Sequence, residues 1–240
     1  MFVDRYFESS ANGINISKVQ GSDFAKIIAG DFNPLHDIDN TRFCVPGDLL
    51  FAVVLRQCGV SQSMSFHFKE MLGGDVGLQI HQTEQQIQVI GENDKNYLNA
   101  DISGDSTQNG AFVETLIHNY VAFSGETFPN ILVRLMKNEG VMINVEKPMV
   151  IYENMQLTFS RFTTAGPDVV LKEHYLEVNG KRGKVIMQFD LNVDGETIGQ
   201  GKKQILLSGL RPFEQDKIDW LVDFYANRKS NYLKEHAAKE

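Results

Sequence analysis

Gly47-Asp48-Leu49-Leu50-Phe51-Ala52-Val53-Val54-Leu55 is apolar on nearly every side once its first two residues are passed. Beyond Gly59 comes Ser63-Met64-Ser65-Phe66-His67-Phe68, in which apolar and polar residues alternate. A helix with no polar face has to be buried. A period of two belongs to a strand with one buried face. The junction therefore predicts a buried helix feeding a sheet that covers it. Downstream, Gly73-Gly74-Asp75 reads as a turn, and Val76–Ile80, Ile87–Val89, Leu98–Ile102 and Phe112–Phe123 read as further strands.

The second half repeats this order. Phe128, Ile131, Leu132, Leu135 and Met136 share one helical face and Gly140 stops the run. Met155, Leu157 and Phe159 alternate, and strands follow around 169–178, 184–193 and 198–207. Asn179-Gly180 and Asp194-Gly195 lie between them, the strongest short-range signal for a hairpin. A closing helix over 213–235 carries Ile218, Leu221, Val222 and Tyr225 on one face. The expected class is α+β, an antiparallel sheet wrapped around a central helix, twice, with a C-terminal helix. The expected units are 1–124 and 125–240.

Composition narrows the partners. Residues 1–124 hold 7 Lys and Arg against 15 Asp and Glu, whereas residues 125–240 hold 16 of each. An acidic first half argues against nucleic acid, whose phosphates need a basic surface. No run approaches the roughly 20 apolar residues of a membrane span, and the N-terminus lacks the apolar core of a signal peptide. A cytoplasmic protein with no membrane contact is expected. Cys44 and Cys58 lie in apolar surroundings without metal spacing, so neither a metal nor a cofactor is expected.

The residues that carry chemistry precede the buried helix: Phe24-Ala25-Lys26-Ile27-Ile28-Ala29-Gly30-Asp31-Phe32-Asn33-Pro34-Leu35-His36. Ser22 reads as the cap of a short helix over 23–29, and Gly30 as its end. Asn33-Pro34 prevents a continuing helix, so Asp31 and His36 share a compact turn and can grip one water between them. An imidazole with a pKa of about 6.5 suits proton transfer at neutral pH. Gly47, at the unpaired N-terminus of the buried helix, offers an amide to a developing oxyanion. Asp31 and His36 can also be read as residues that merely cap and staple a turn.

Asp31-Phe32-Asn33-Pro34-Leu35-His36 resembles the hydratase motif of the MaoC-like, R-specific enoyl-CoA hydratases. Pro46-Gly47-Asp48-Leu49-Leu50, Gly59–Phe66 and Gly74-Asp75-Val76 extend the similarity in the family's order over about residues 21–80, a third of the chain. The family usually has an apolar residue where this chain has Asp48. The resemblance implies the hot-dog fold, here as a tandem double unit or internal pseudodimer that allows a homodimer. It implies a lyase of fatty acid metabolism, a hydratase or dehydratase taking an acyl-CoA or acyl carrier protein thioester as substrate. His36 would be general base, Asp31 its water-positioning partner and proton donor, and Gly47 the oxyanion donor. Asn33 would support the loop, and Ser61 or Ser63 would touch water or substrate. Lys181, Arg182, Lys184, Lys202 and Lys203 form the best basic cluster for coenzyme A phosphates. The whole chain also resembles an uncharacterised proteobacterial family. The rival readings are a non-catalytic acyl-thioester or lipid-binding module and a scaffold whose helix 213–235 docks a partner.

Overall fold

A computed structural model of the chain describes residues 1–11 and 13–237. The elements run β1 (Glu8–Ser10), β2 (Gly13–Ile16), α1 (Lys18–Asp23), α2 (Gly47–Cys58), β3 (Val60–Phe68), β4 (Val76–Gln82), β5 (Gln86–Ile90) and β6 (Asn96–Thr107). Then follow α3 (Gly110–Gly125), α4 (Leu132–Asn138), β7 (Val141–Met142), β8 (Met149–Phe159), β9 (Asp168–Asn179), β10 (Arg182–Val193), β11 (Glu196–Ser208), β12 (Arg211–Pro212) and α5 (Gln215–Ala237). Ten strands form one antiparallel sheet in the order β1-β2-β4-β5-β6-β3-β8-β11-β10-β9, and β7 pairs with β12 apart from it. The halves meet where β3 pairs with β8, from Ser63 opposite Thr158 to His67 opposite Asn154. This is a double hot-dog, with the sheet curled around its helices. No helix of the described residues is long and apolar enough to cross a membrane.

The buried helix behaves as its sequence requires. Every residue from Leu49 to Leu55 is buried, and Met64 and Phe66 of β3 close over it. At Asp194-Gly195 both residues take positive φ, 51° and 82°, which gives the two-residue hairpin turn expected there.

Residues 112–123 are not a strand. They lie in α3, capped by the Asn109 side chain, which accepts a hydrogen bond from the Phe112 amide at 3.0 Å. Phe112, Val113, Leu116, Ile117, Tyr120 and Val121 are buried, a spacing of four that belongs to a helix. His118, read with a strand, sits exposed on this helix. The first helix also starts earlier than expected, at Lys18, under a capping box in which Ser17 and Gln20 exchange hydrogen bonds. Ser22 is buried inside it. The helix then widens into a π-helical turn over Phe24–Ala29.

Two hydrophobic cores result. The larger gathers α2, α3 and both flanking half-sheets, including Met155, Leu157, Phe189 and Leu191 from the second half. The smaller joins Leu135 and Met136 of α4 and Ile218 and Leu221 of α5 to Val185, Met187, Ile205 and Leu207. The α5 face that carries Ile218 and Leu221 is therefore occupied by its own chain, while Trp220 and Leu233 of the same helix are exposed.

Candidate active site

The π-helical turn ends at Gly30, whose φ of 65° is the left-handed conformation glycine adopts without strain. The Asp31 amide donates back to Ala25 at 2.8 Å. From there each polar side chain fixes the next. Asp31 Oδ1 accepts from the Asn33 amide at 2.9 Å, and Asn33 Oδ1 accepts from the Leu35 amide at 3.1 Å, capping a 3-10 turn over Pro34–His36. Asn40 Nδ2 donates to the Pro34 carbonyl at 2.7 Å. This chain of bonds brings Asp31 and His36 face to face, with Asp31 Oδ2 3.5 Å from His36 Nε2.

The other imidazole nitrogen, Nδ1, lies 2.7 Å from the Cys44 carbonyl. A carbonyl has no hydrogen to give, so Nδ1 carries a proton. Nε2 then also faces an acceptor, the Asp31 carboxylate. Both nitrogens are satisfied at once only when the ring is a doubly protonated imidazolium. The electrostatics agree. Burial disfavours the charged imidazole, but the hydrogen bond and attraction of Asp31, helped by the Cys44 carbonyl, raise its pKa above the ordinary value. Burial likewise opposes ionised Asp31, but His36 and the Asn33 amide outweigh it and hold its carboxyl low. Within the pair these directions favour a proton on the imidazole over one on the carboxylate. A protonated imidazole can serve as the acid of such a pair and a carboxylate as its base, the reverse of the roles expected from the sequence. 37% of the Asp31 side chain is open to solvent.

The second half adds a residue placed elsewhere by the sequence. Lys203 is not on the surface, for it is only 4% exposed. Gly201, Ile205 and Leu207 face inward along β11, and Lys203 shares their phase. Its ammonium donates to Ser124 Oγ, and Ser124 donates to Asp48 Oδ2 at 2.5 Å. It also lies 4.3 Å from the centre of the Tyr152 ring, whose hydroxyl is hydrogen-bonded to that of Tyr120. Burial lowers the Lys203 pKa, while Asp48 and Asp31 oppose the shift. Burial raises that of Asp48 against the pull of Lys203 and Ser124.

The other predicted residues fall differently. Gly47 opens α2 beside this cluster, and a Cβ there would come within 3.2 Å of Tyr152 and 3.3 Å of Phe68. Its missing side chain thus lets two aromatic rings close on the helix entry. Ser61 and Ser63 lie at the other end of the helix. β3 runs back along α2 and reaches Gly47 only at Phe68, so at about 3.3 Å per residue Ser61 is on the order of 20 Å away. Neither serine meets the Asp31–His36 pair. Lys184 and Lys202 point to the outer face of the sheet, opposite to Val185, Met187 and Lys203. The sheet stands between them and Asp31, and Lys181 and Arg182 occupy an exposed hairpin end. The five basic residues are therefore not one phosphate-binding cluster.

α5 braces the loop from outside. Arg228 donates to the Phe32 carbonyl at 3.0 Å and to Asp37, which Lys26 also contacts at 3.1 Å. Tyr232 packs edge-on against Phe32, and Tyr225 lies within electrostatic range of Asp31. The thiols are inert by comparison, with burial pushing Cys44 and Cys58 up to about 11. Among the described residues no cluster of His, Cys, Asp and Glu has the arrangement of a metal site.

Fold and site together define a class, a double hot-dog protein with an Asp–His pair in the loop before its first central helix. Within it, the chain belongs to the family described as Protein of unknown function (DUF3581), which matches residues 1–216. No curated protein sequence matches the chain. Among solved structures it is similar to a conserved protein of unknown function with hot-dog fold from Alicyclobacillus acidocaldarius, at 8% identity over 89% of this chain and 99% of that one, with a TM-score of 0.47. It is similar to an acyl-CoA thioesterase II from Mycobacterium marinum, at 11% identity over 89% and 98%, TM-score 0.45. A MaoC-like dehydratase matches at 9% identity over 84% and 97%, TM-score 0.37.

Proposed function

We propose that the protein is a hydratase or dehydratase of enoyl and 3-hydroxyacyl thioesters, with its site in the first of two fused units. One observation carries this reading: a carboxylate and an imidazole, 3.5 Å apart and open to solvent on the carboxylate side, stand beside a helix entry. The loop resemblance to MaoC-like hydratases supplies the reaction class. In the hydration direction Asp31 takes a proton from water as the water oxygen bonds to C3. The C2–C3 π electrons move toward the thioester oxygen, which the Gly47 amide receives as an enolate. His36 then protonates C2, and the proton held by Asp31 returns to His36. Dehydration retraces these steps. The substrate is an acyl-CoA or acyl carrier protein thioester, and no cofactor enters the chemistry.

Crotonyl-CoA hydration, followed by loss of the enoyl-thioester ultraviolet band, tests the proposal. Wild type should turn over, and Asp31→Asn and His36→Ala should each lose roughly 10²–10⁴-fold. Turnover should fall as pH rises through the raised pKa of His36, because the acid is lost there. It should fall again in acid, as the lowered carboxyl of Asp31 takes a proton. A rate that instead climbs as His36 loses its proton would restore the imidazole as base. Binding without turnover in every form would identify a non-catalytic acyl-thioester module.

A further inference from the structure

Asp48 is an awkward residue for the site just described. It follows Gly47 at the start of α2, and a bare carboxylate there would oppose negative charge growing on a thioester oxygen. The structure supplies an answer from the opposite half of the chain. Lys203 sits on the inner face of β11, and Ser124 of α3 stands between it and Asp48. Ser124 has one hydroxyl hydrogen, which goes to Asp48 Oδ2, so its oxygen is free to accept from the ammonium. The bonds run in one direction, from cation through hydroxyl to carboxylate. The Tyr152 ring holds the ammonium from the side. The remaining oxygen, Asp48 Oδ1, is buried with no hydrogen-bond partner among the described residues, and the carboxylate's charge is opposed chiefly by Lys203, with smaller help from Ser124 and His36.

We propose that Lys203 is a positioning residue of the Asp31–His36 site, supplied by the second half of the chain, whose ammonium cancels the Asp48 carboxylate through Ser124 and so keeps the entry of α2 able to accept a thioester enolate. The chemistry in this statement rests on the hydratase reading; the pairing does not. The polar and titratable groups facing the pair are Asp31 and His36 of the loop, Tyr120 and Ser124 of α3 and Tyr152 of β8. Tyr225 of α5 approaches Asp31 from the far side. Of these, only His36 offers a second positive charge, and Asp31 already engages it.

Removing Lys203 leaves Asp48 buried without its counter-charge. Its folded pKa, already raised, then moves further above the unfolded value. Stability so linked is present at low pH and lost as pH rises through the folded pKa. The experiment compares wild type, Lys203→Met, Asp48→Asn and the double variant by thermal melting at pH 5 and pH 8, with kcat and KM for crotonyl-CoA. Lys203→Met should melt roughly 10 °C lower at pH 8 and recover part of that loss at pH 5. The double variant should regain most of it at both. Kinetically, Lys203→Met should lose on the order of 10²-fold in kcat with little change in KM, and Asp48→Asn in that background should restore most of the rate.

A melting deficit equal at both pH values and untouched by Asp48→Asn would overturn the pairing. A well-folded double variant that stays slow would overturn the neutralising role, since Lys203 would then act on substrate itself. If Lys203→Met does not fold, the charge-balanced double variant decides. If wild type shows no turnover, the hydratase reading falls by itself. The ultraviolet enolate band of bound acetoacetyl-CoA then reports on the helix entry without catalysis. That band should be weaker in Lys203→Met and recover in the double variant; a band unchanged across the set would overturn the proposal.

Discussion

The two halves of the molecule fill the same kind of sheet with different contents. In the first half one helix, α2, serves as the filling, apolar from Leu49 to Leu55 with its polar end at Gly47 and Asp48. Over the strands of the second, the inner face is shared by α4, α5 and the α3 helix that closes the first half, and none of the three is buried on every side. A central helix with one polar end offers one place where charge can enter the core, and that is where Asp31 and His36 converge. The second half has no such end. It contributes instead a lysine and a bracing helix to the site of the first. The lesson is that a motif-free half can still be part of a site.

The sharpest way to break this view is at the point where α3 meets the loop helix. A Cβ at Gly125 would lie 1.6 Å from the Ala29 carbonyl oxygen, so Gly125→Ala has to push the π-helical turn that ends at Gly30, next to Asp31. We expect a loss of about 3 kcal/mol or more in denaturant unfolding, as one transition for the whole chain. A variant as stable as wild type would show that the two regions only touch. A smaller effect is expected from Arg228→Met, which removes the tie between α5 and the loop at Phe32 and Asp37. It should cost about 1–3 kcal/mol and lower turnover more than it raises KM. Unchanged turnover would reduce α5 to a packing element. The smallest effect belongs to Lys202→Glu, on the outer face of β11, at roughly 0.5 kcal/mol or less. Its silence beside the sensitivity of its neighbour Lys203 would show that position in the strand, not charge, decides which lysine matters.

Much of the fold can be read from pattern. The all-apolar run 49–55 signals a fully buried element, which is the helix α2, and Met155, Leu157 and Phe159 alternate as they must to line a sheet. Residues 112–123 mislead because a helix buried on most sides also lacks a polar face, and a dense apolar run fits a central strand equally well. The pair of apolar neighbours returning every four residues is the signal that separates the two. For the site, Asp31 and His36 are adjacent enough for local chain geometry to bring them together. Lys203 is harder. Strict alternation with Ile205 and Leu207 assigns it inward, but an inward lysine makes sense only beside Asp48 and Ser124, which are distant in the chain. The direction of proton sharing is beyond sequence altogether, since it depends on the Cys44 carbonyl reaching His36 Nδ1.

The pairing of β3 with β8 sets how the molecule can come apart. These strands lie in the interior of a continuous ladder, bonded on both sides, so their amides have no frayed edge from which to exchange with deuterium. Severing the chain into two polypeptides would convert each into a bare border, ready to recruit a foreign strand.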